Sequence, residues 1–90
     1  MVDYTATFKT TDEDIVAIMP NEQVTEFYYD KQTGNGRCHL KCGISSIDLM
    51  GVAKIALEHK SYFYVSVLHV KSGIKQEWDL KDGESMIVGA

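Results

Sequence analysis

The sequence predicts one α+β domain: an antiparallel sheet of five or six strands, covered on one face by a main helix near 46–59 and a short helix near 12–18. Three observations predict it. Runs with an apolar residue at every second position recur along the chain, which is the period of a half-buried strand. Two stretches carry a helix-start signal followed by an apolar arc. The last thirty residues pass through two turn signals, Lys71-Ser72-Gly73 and Asp82-Gly83, and read as a three-stranded meander. Ninety residues, 44% apolar and 24% charged, make one globular domain over 1–90.

Val2, Tyr4, Ala6 and Phe8 alternate with Asp3, Thr5, Thr7 and Lys9, a first strand. Thr11 then offers a helix cap, with Asp14 three residues on and acids at the positive end of the dipole. Ile15 to Ile18 supply the apolar turn and Pro20 ends it; a strand through Ile15–Met19 is the alternative, because Ile and Val are β-branched. Glu22 to Asp30, with Phe27, Tyr28 and Tyr29, is the second strand. Gln32 to Gly36 is a hairpin loop with Asn35-Gly36 as its tight turn. In the third strand Cys38, Leu40, Cys42 and Ile44 share one face, and Arg37, His39 and Lys41 the other. Ser45 with Asp48 matches a capping box for the main helix, whose apolar arc is Leu49, Met50, Val52, Ala53, Ala56 and Leu57. The order β-α-β-β-α-β resembles the split β-α-β pattern of ferredoxin-like sheets, with further strands after it. That pattern hosts many unrelated functions and implies none.

For the meander, Ser72-Gly73 as a two-residue loop sets Val67 opposite Trp78, Val65 opposite Leu80 and His69 opposite Gln76. Asp82-Gly83 sets Lys81 opposite Glu84 and Trp78 opposite Ile87. Phe63, Val65, Val67, Ile74, Trp78 and Leu80 then form the core face. The other face collects Tyr62, Tyr64, Ser66, Leu68, Val70, Met86 and Val88 with Lys75, Glu77 and Asp79. A solvated antiparallel face is mostly polar, and this one is half apolar, with the Tyr and Met enriched at interfaces. It predicts a contact surface.

The formal charge of −4 opposes direct nucleic-acid binding, which rests on neutralising phosphates. Acids concentrate in the first half: Asp3, Asp12, Glu13, Asp14, Glu22, Glu26 and Asp30 stand against four bases in residues 1–45. Such a surface suits a basic protein partner. No run is apolar and long enough for a membrane span and no signal peptide is evident, so the expected location is the cytoplasm. Cys38 and Cys42, on a regular strand, lie roughly 13 Å apart. That is too far for a disulfide and fits reduced, buried thiols.

Chemical motifs are weak. Cys38, His39 and Cys42, with His59 or His69, have tolerable metal-ligand spacing but no second pair and no shared face. The same residues lack the placed base a cysteine nucleophile needs. Glu77 with Asp79, and Asp12 to Asp14, are carboxylate groups without an apolar pocket. Gly34-Asn35-Gly36 lacks the context of a phosphate loop. Tyr28, Tyr62 and Tyr64 beside Arg37, His39 and Lys41 could stack bases, but the third strand lacks the aromatic signature of RNA-recognition sheets.

The reading is therefore a small, acidic, non-enzymatic protein-binding module without a cofactor. In concrete form it is an inhibitor, antagonist or immunity-type protein of a phage or mobile element, occupying a basic surface of a nucleic-acid-handling partner. Its contact residues are Tyr62, Tyr64, Leu68, Met86 and Val88, with Asp12, Glu13, Asp14, Glu22, Glu26 and Asp30. The alternatives are a homodimer holding a small ligand at its interface, and a small Cys/His metal protein or enzyme.

Overall fold

Thr10 shows how the chain is held together. Its side chain is fully buried, its hydroxyl donates to the Tyr62 carbonyl (2.7 Å) and accepts from the Asp12 N–H (3.1 Å), and its own carbonyl accepts from the Tyr29 hydroxyl (2.8 Å). One residue thus ties the end of the first strand to the first helix, the second strand and the fourth. The computed structural model describes residues 3–81 and 84–89, the last of these, from Lys81 onward, as backbone only. Val2 and the expected Asp82-Gly83 turn lie outside the described residues.

The elements are β1 (Tyr4–Lys9), α1 (Glu13–Ile18), β2 (Val24–Asp30), β3 (Asn35–Leu40), a 3-10 turn (Gly43–Ser46), α2 (Leu49–His59), β4 (Tyr62–His69), β5 (Lys75–Lys81) and β6 (Glu84–Gly89). The strands form one sheet in the order β2-β3-β1-β4-β5-β6, and every neighbouring pair is antiparallel. β3 lies between β1 and β2, and β1 lies between β3 and β4. Two β-α-β units are therefore interleaved, the expected split arrangement, extended past β4 by the β5–β6 hairpin.

The core lies between one sheet face and the helices. Ala6 and Phe8, Cys38 and Leu40, Phe63, Val65 and Val67, and Trp78 and Leu80 are buried against Ile15, Met19, Val52 and Ala56. Phe63 joins Phe8 (6.1 Å between centroids) to an edge-on Trp78 (5.7 Å), and Phe8 stacks in turn on Phe27 and Tyr29. Burial of each such side chain is worth about 1.5–3 kcal/mol.

Several sequence expectations are corrected in detail. The α1 cap is Asp12, which accepts from the Asp14 N–H (3.0 Å), and not Thr11. The α2 cap is Asp48, accepting from the Gly51 N–H (3.0 Å), and not Ser45. The Ser45 hydroxyl donates instead to the Cys42 carbonyl (2.8 Å) within the 3-10 turn. The β2–β3 loop is Lys31 to Gly34, with Gly34 at φ 78°. Asn35-Gly36 is strand, because Gly36 gives up its side-chain space to Phe8. Of the α2 arc, Val52 and Ala56 are buried, while Met50 (86% exposed) and Leu57 point to solvent.

The β4–β5 pairing differs by two residues from the expectation: Val65 faces Trp78, Phe63 faces Leu80 and Val67 faces Gln76. The cause is a wider loop, Val70 to Gly73, closed by His69 N–H donating to the Ile74 carbonyl (2.8 Å). Ile74 consequently leaves the core and is exposed. A shift of two preserves the alternation of faces, so the remaining core assignments of the meander hold. Lys81 pairs with Glu84 and Trp78 with Ile87, as the sequence implied.

Candidate functional site

Neither helix covers the second face of the sheet. Strand register orders that face into rows running across the strands. The central row reads Tyr28, Arg37, Thr7, Ser66, Glu77 and the Val88 position; the row nearer the α1 end reads Asp30, Asn35, Lys9, Tyr64, Asp79 and the Met86 position. A third row, at the opposite end, carries His39, Thr5, Leu68 and Lys75. Thr7, Lys9, Tyr28, Arg37 and Asp79 are exposed, while Tyr62, Tyr64, Leu68 and Glu77 are half-buried by their neighbours in the sheet. Ser66, in the middle, is the one buried side chain of these rows among the described residues.

The face has relief. The Arg37 guanidinium lies over the Tyr28 ring, 4.8 Å from its centroid, an exposed cation–π contact worth about 0.5–1 kcal/mol. Between that pair and Tyr64 runs an open groove of about 560 Å³ whose floor is β1 and β3 around Thr7, Lys9 and Gly36. Burial pushes the Tyr64 hydroxyl up from its ordinary range, and a hydrogen bond to Glu77 adds to the shift. Charge is unevenly spread over the face: Lys9 and Arg37 lie on β1 and β3 with Asp30 on β2, while Glu77 and Asp79 lie on β5 with Lys75.

A second cluster sits at the rim where β1 ends and β4 begins. Asp12 Oδ2 accepts from the Ser61 hydroxyl (2.7 Å) and lies 2.9 Å from His59 Nδ1. His59 Nε2 is 3.8 Å from Asp14. Burial pushes the Asp12 carboxyl up, but the Ser61 hydroxyl, His59 and the Asp14 N–H together hold it below its ordinary value. The hydrogen bond to Asp12 raises the His59 imidazole, against partial desolvation, with Asp14 and Glu58 adding to it. Asp12, Asp14 and His59 bring their ligand atoms within 4.8 Å of one another. The two Asp12 oxygens already accept hydrogen bonds that cap α1 and hold it to the end of α2, so this geometry does structural work.

The structure brings Tyr62 and Tyr64 together with Asp12, Glu13, Asp14 and Asp30 at one end of the molecule. Ser61 joins Asp12 to the start of β4, and Lys31, next to Asp30, pairs with Glu13 (3.1 Å). Leu68 lies on the same face towards the opposite end. Glu22 precedes β2 and Glu26 sits in it, both exposed and towards that other end. Met86 and Val88 are placed beside Asp79 and Glu77 by register. The sequence sets Tyr28 and Arg37 among possible stacking residues but not as a cross-strand pair walling a groove, because the bulge in β2 decides which residues share a row.

The cysteine–histidine set is dispersed. Cys38 faces the core, where burial pushes its thiol up to about 11, so it is protonated at neutral pH. Cys42 is exposed beyond the end of β3, which corrects the expectation that it shares a strand face with Cys38. His39 is on the open face. Among the described residues, no helix is long and apolar enough to cross a membrane. Compared with protein-family models, curated proteins and solved structures, the chain has no significant match to any of them.

Proposed function

We propose that the chain is a non-enzymatic protein-binding module whose contact surface is the open sheet face. One observation carries this reading: the helices bury one face, and the other presents Tyr28, Arg37 and Tyr64 around a groove, with Leu68 further along the same face. Tyrosine and arginine at a groove are the residue types that anchor protein interfaces, because each offers large area with a polar tip. The rim acids Asp12, Glu13, Asp14 and Asp30 border this face at the Tyr62 and Tyr64 end. They supply the charge for the antagonist or immunity-type role, in which a basic, nucleic-acid-handling partner is occupied.

The test is affinity capture from nuclease-treated source-cell lysate with the wild type and with Tyr28→Ser/Tyr64→Ser. The expected result is one dominant protein recovered by wild type and lost with the variant, while circular dichroism shows both folded. Equal recovery by both proteins would sink the assignment of the face. Lysine substitution of Asp12, Glu13, Asp14 and Asp30 should separately slow association and reduce its salt dependence.

A further inference from the structure

The open face is complementary to itself. Six strands place three on each side of a line between β1 and β4, the line that separates Thr7 from Ser66. Rotating a second copy by a half turn about that line lays β3 over β5 of the other copy, and β1 over β4. Arg37 then meets Glu77 of the other copy, Asn35 meets Asp79, and Thr5 meets Leu68, each pair occurring twice as two-fold symmetry requires. Lys9 meets Tyr64, so the Tyr64 ring of one copy enters the 560 Å³ groove over β1 of the other. The small residues Thr7 and Ser66 meet on the axis, where two sheets approach most closely.

The charges choose this axis. A half turn about a line across the strands would set Arg37 against Arg37 and Glu77 against Glu77, which costs affinity on both counts. The strand-parallel axis sets no acid against an acid and no Lys or Arg against another, and brings His39 to Lys75. Among the described residues, neither Arg37 nor Glu77 has an intramolecular salt bridge. Stacked sheets cross at about 30°, which displaces residues one and a half strands from the axis by only about 4 Å, within reach of an arginine. Six strands at about 4.8 Å spacing and about 20 Å length give a face of order 500 Å² before side-chain relief, near the smaller stable interfaces at roughly 600 Å² per partner.

We infer that the open sheet face is occupied by a second copy of this chain, in a two-fold sandwich with its axis along the strands and Arg37 of each copy paired to Glu77 of the other. The inference rests on the reading of that face as a protein-contact surface; it assigns the face to a second copy and leaves the acidic rim to the basic partner. The sandwich keeps Asp12, Glu13 and Asp14 of both copies at the same end of the dimer, outside the contact, with Asp30 at its edge over the Met86 position.

Sedimentation equilibrium with charge exchange tests it. Wild type should be a dimer, Arg37→Glu and Glu77→Arg should each weaken dimerisation by at least about tenfold, and the double variant R37E/E77R should recover most of the loss. Unfolding followed by Trp78 fluorescence keeps loss of fold apart from loss of contact. A monomer up to roughly 0.5 mM, or a dimer that the double variant does not restore, would overturn the sandwich. A monomer that still captures another protein through Tyr28 and Tyr64 overturns only the self-pairing. A monomer whose capture ignores those residues overturns the contact face as well.

Discussion

A β-carbon on Gly36 would lie 2.0 Å from Cζ of Phe8, in the ring that stacks on Phe27, Tyr29 and Phe63. Gly36→Ala should therefore cost about 3 kcal/mol, the upper range for overpacking a core. Urea unfolding followed through Trp78, the one tryptophan and a buried one, measures it. From sequence alone Asn35-Gly36 is a turn signal, because the dipeptide looks the same whether glycine serves φ or serves space. Thr10 is a second residue whose work is invisible until the fold is known: Thr10→Val removes the hydroxyl shared by Asp12 and Tyr62 and should cost about 1–3 kcal/mol in the same assay. The Asp12–His59 pair gives a pH dependence. His59 is raised, so its contribution is complete below the ordinary imidazole value of 6.5 and lost as pH rises through the folded value. Asp12 is lowered, so its contribution is complete above 3.8 and lost as pH falls through the folded value. Melting temperature should fall as pH rises through the neutral range, and His59→Gln should flatten that fall while leaving the acid limb in place.

At the scale of elements, strand periodicity was legible because one sheet face is dry, and alternation survives any register error of two. Loop width was not legible. Val70 to Gly73 is a four-residue loop where Ser72-Gly73 suggests two, and Lys31 to Gly34 lies ahead of the Asn35-Gly36 dipeptide; hydrogen bonds to the His69 and Asp30 carbonyls fix them. Caps were ambiguous for a related reason: Ser45, Ser46 and Asp48 all carry the signal, and the 3-10 turn takes the first two, with Ser46 Oγ accepting from the Cys42 N–H (2.8 Å). Asp48→Ala should cost about 1 kcal/mol as an N-cap, and Ser45→Ala should cost less; the reverse order in thermal melts would reinstate Ser45 as the cap. The β2 edge carries a bulge between Thr25 and Tyr28, with Glu26 at φ 50°, a conformation unfavourable for any residue but glycine. Bulges at edges discourage pairing with another chain. Glu26→Gly should be neutral or stabilising by up to about 1 kcal/mol, and a clear destabilisation would mean the Glu26 side chain makes a contact the geometry does not require.

At the scale of the molecule, the strand order leaves one face without a layer, and that is where alternation predicted too many apolar residues for open solvent. The excess was legible in Tyr62, Tyr64 and Leu68; the placing of Arg37 and Glu77 on opposite sides of the sheet's middle, and the groove, were not, because they depend on which strands become neighbours. β3 next to β1 puts Arg37 beside Thr7, and β5 beyond β4 puts Glu77 on the other side of Ser66. Exposed apolar residues also occur on the helical side, with Met50 and Leu57 on the outer surface of α2, so exposure alone does not mark the contact face. The most direct measurement compares the two surfaces in the source cell, with a photo-crosslinking residue at Thr7 on the open face or at Met50 on α2. A protein adduct is expected from position 7, shifted by the mass of this chain if the partner is a second copy, and none from position 50. Adducts from position 50 with none from position 7 would contradict the open face as the contact surface.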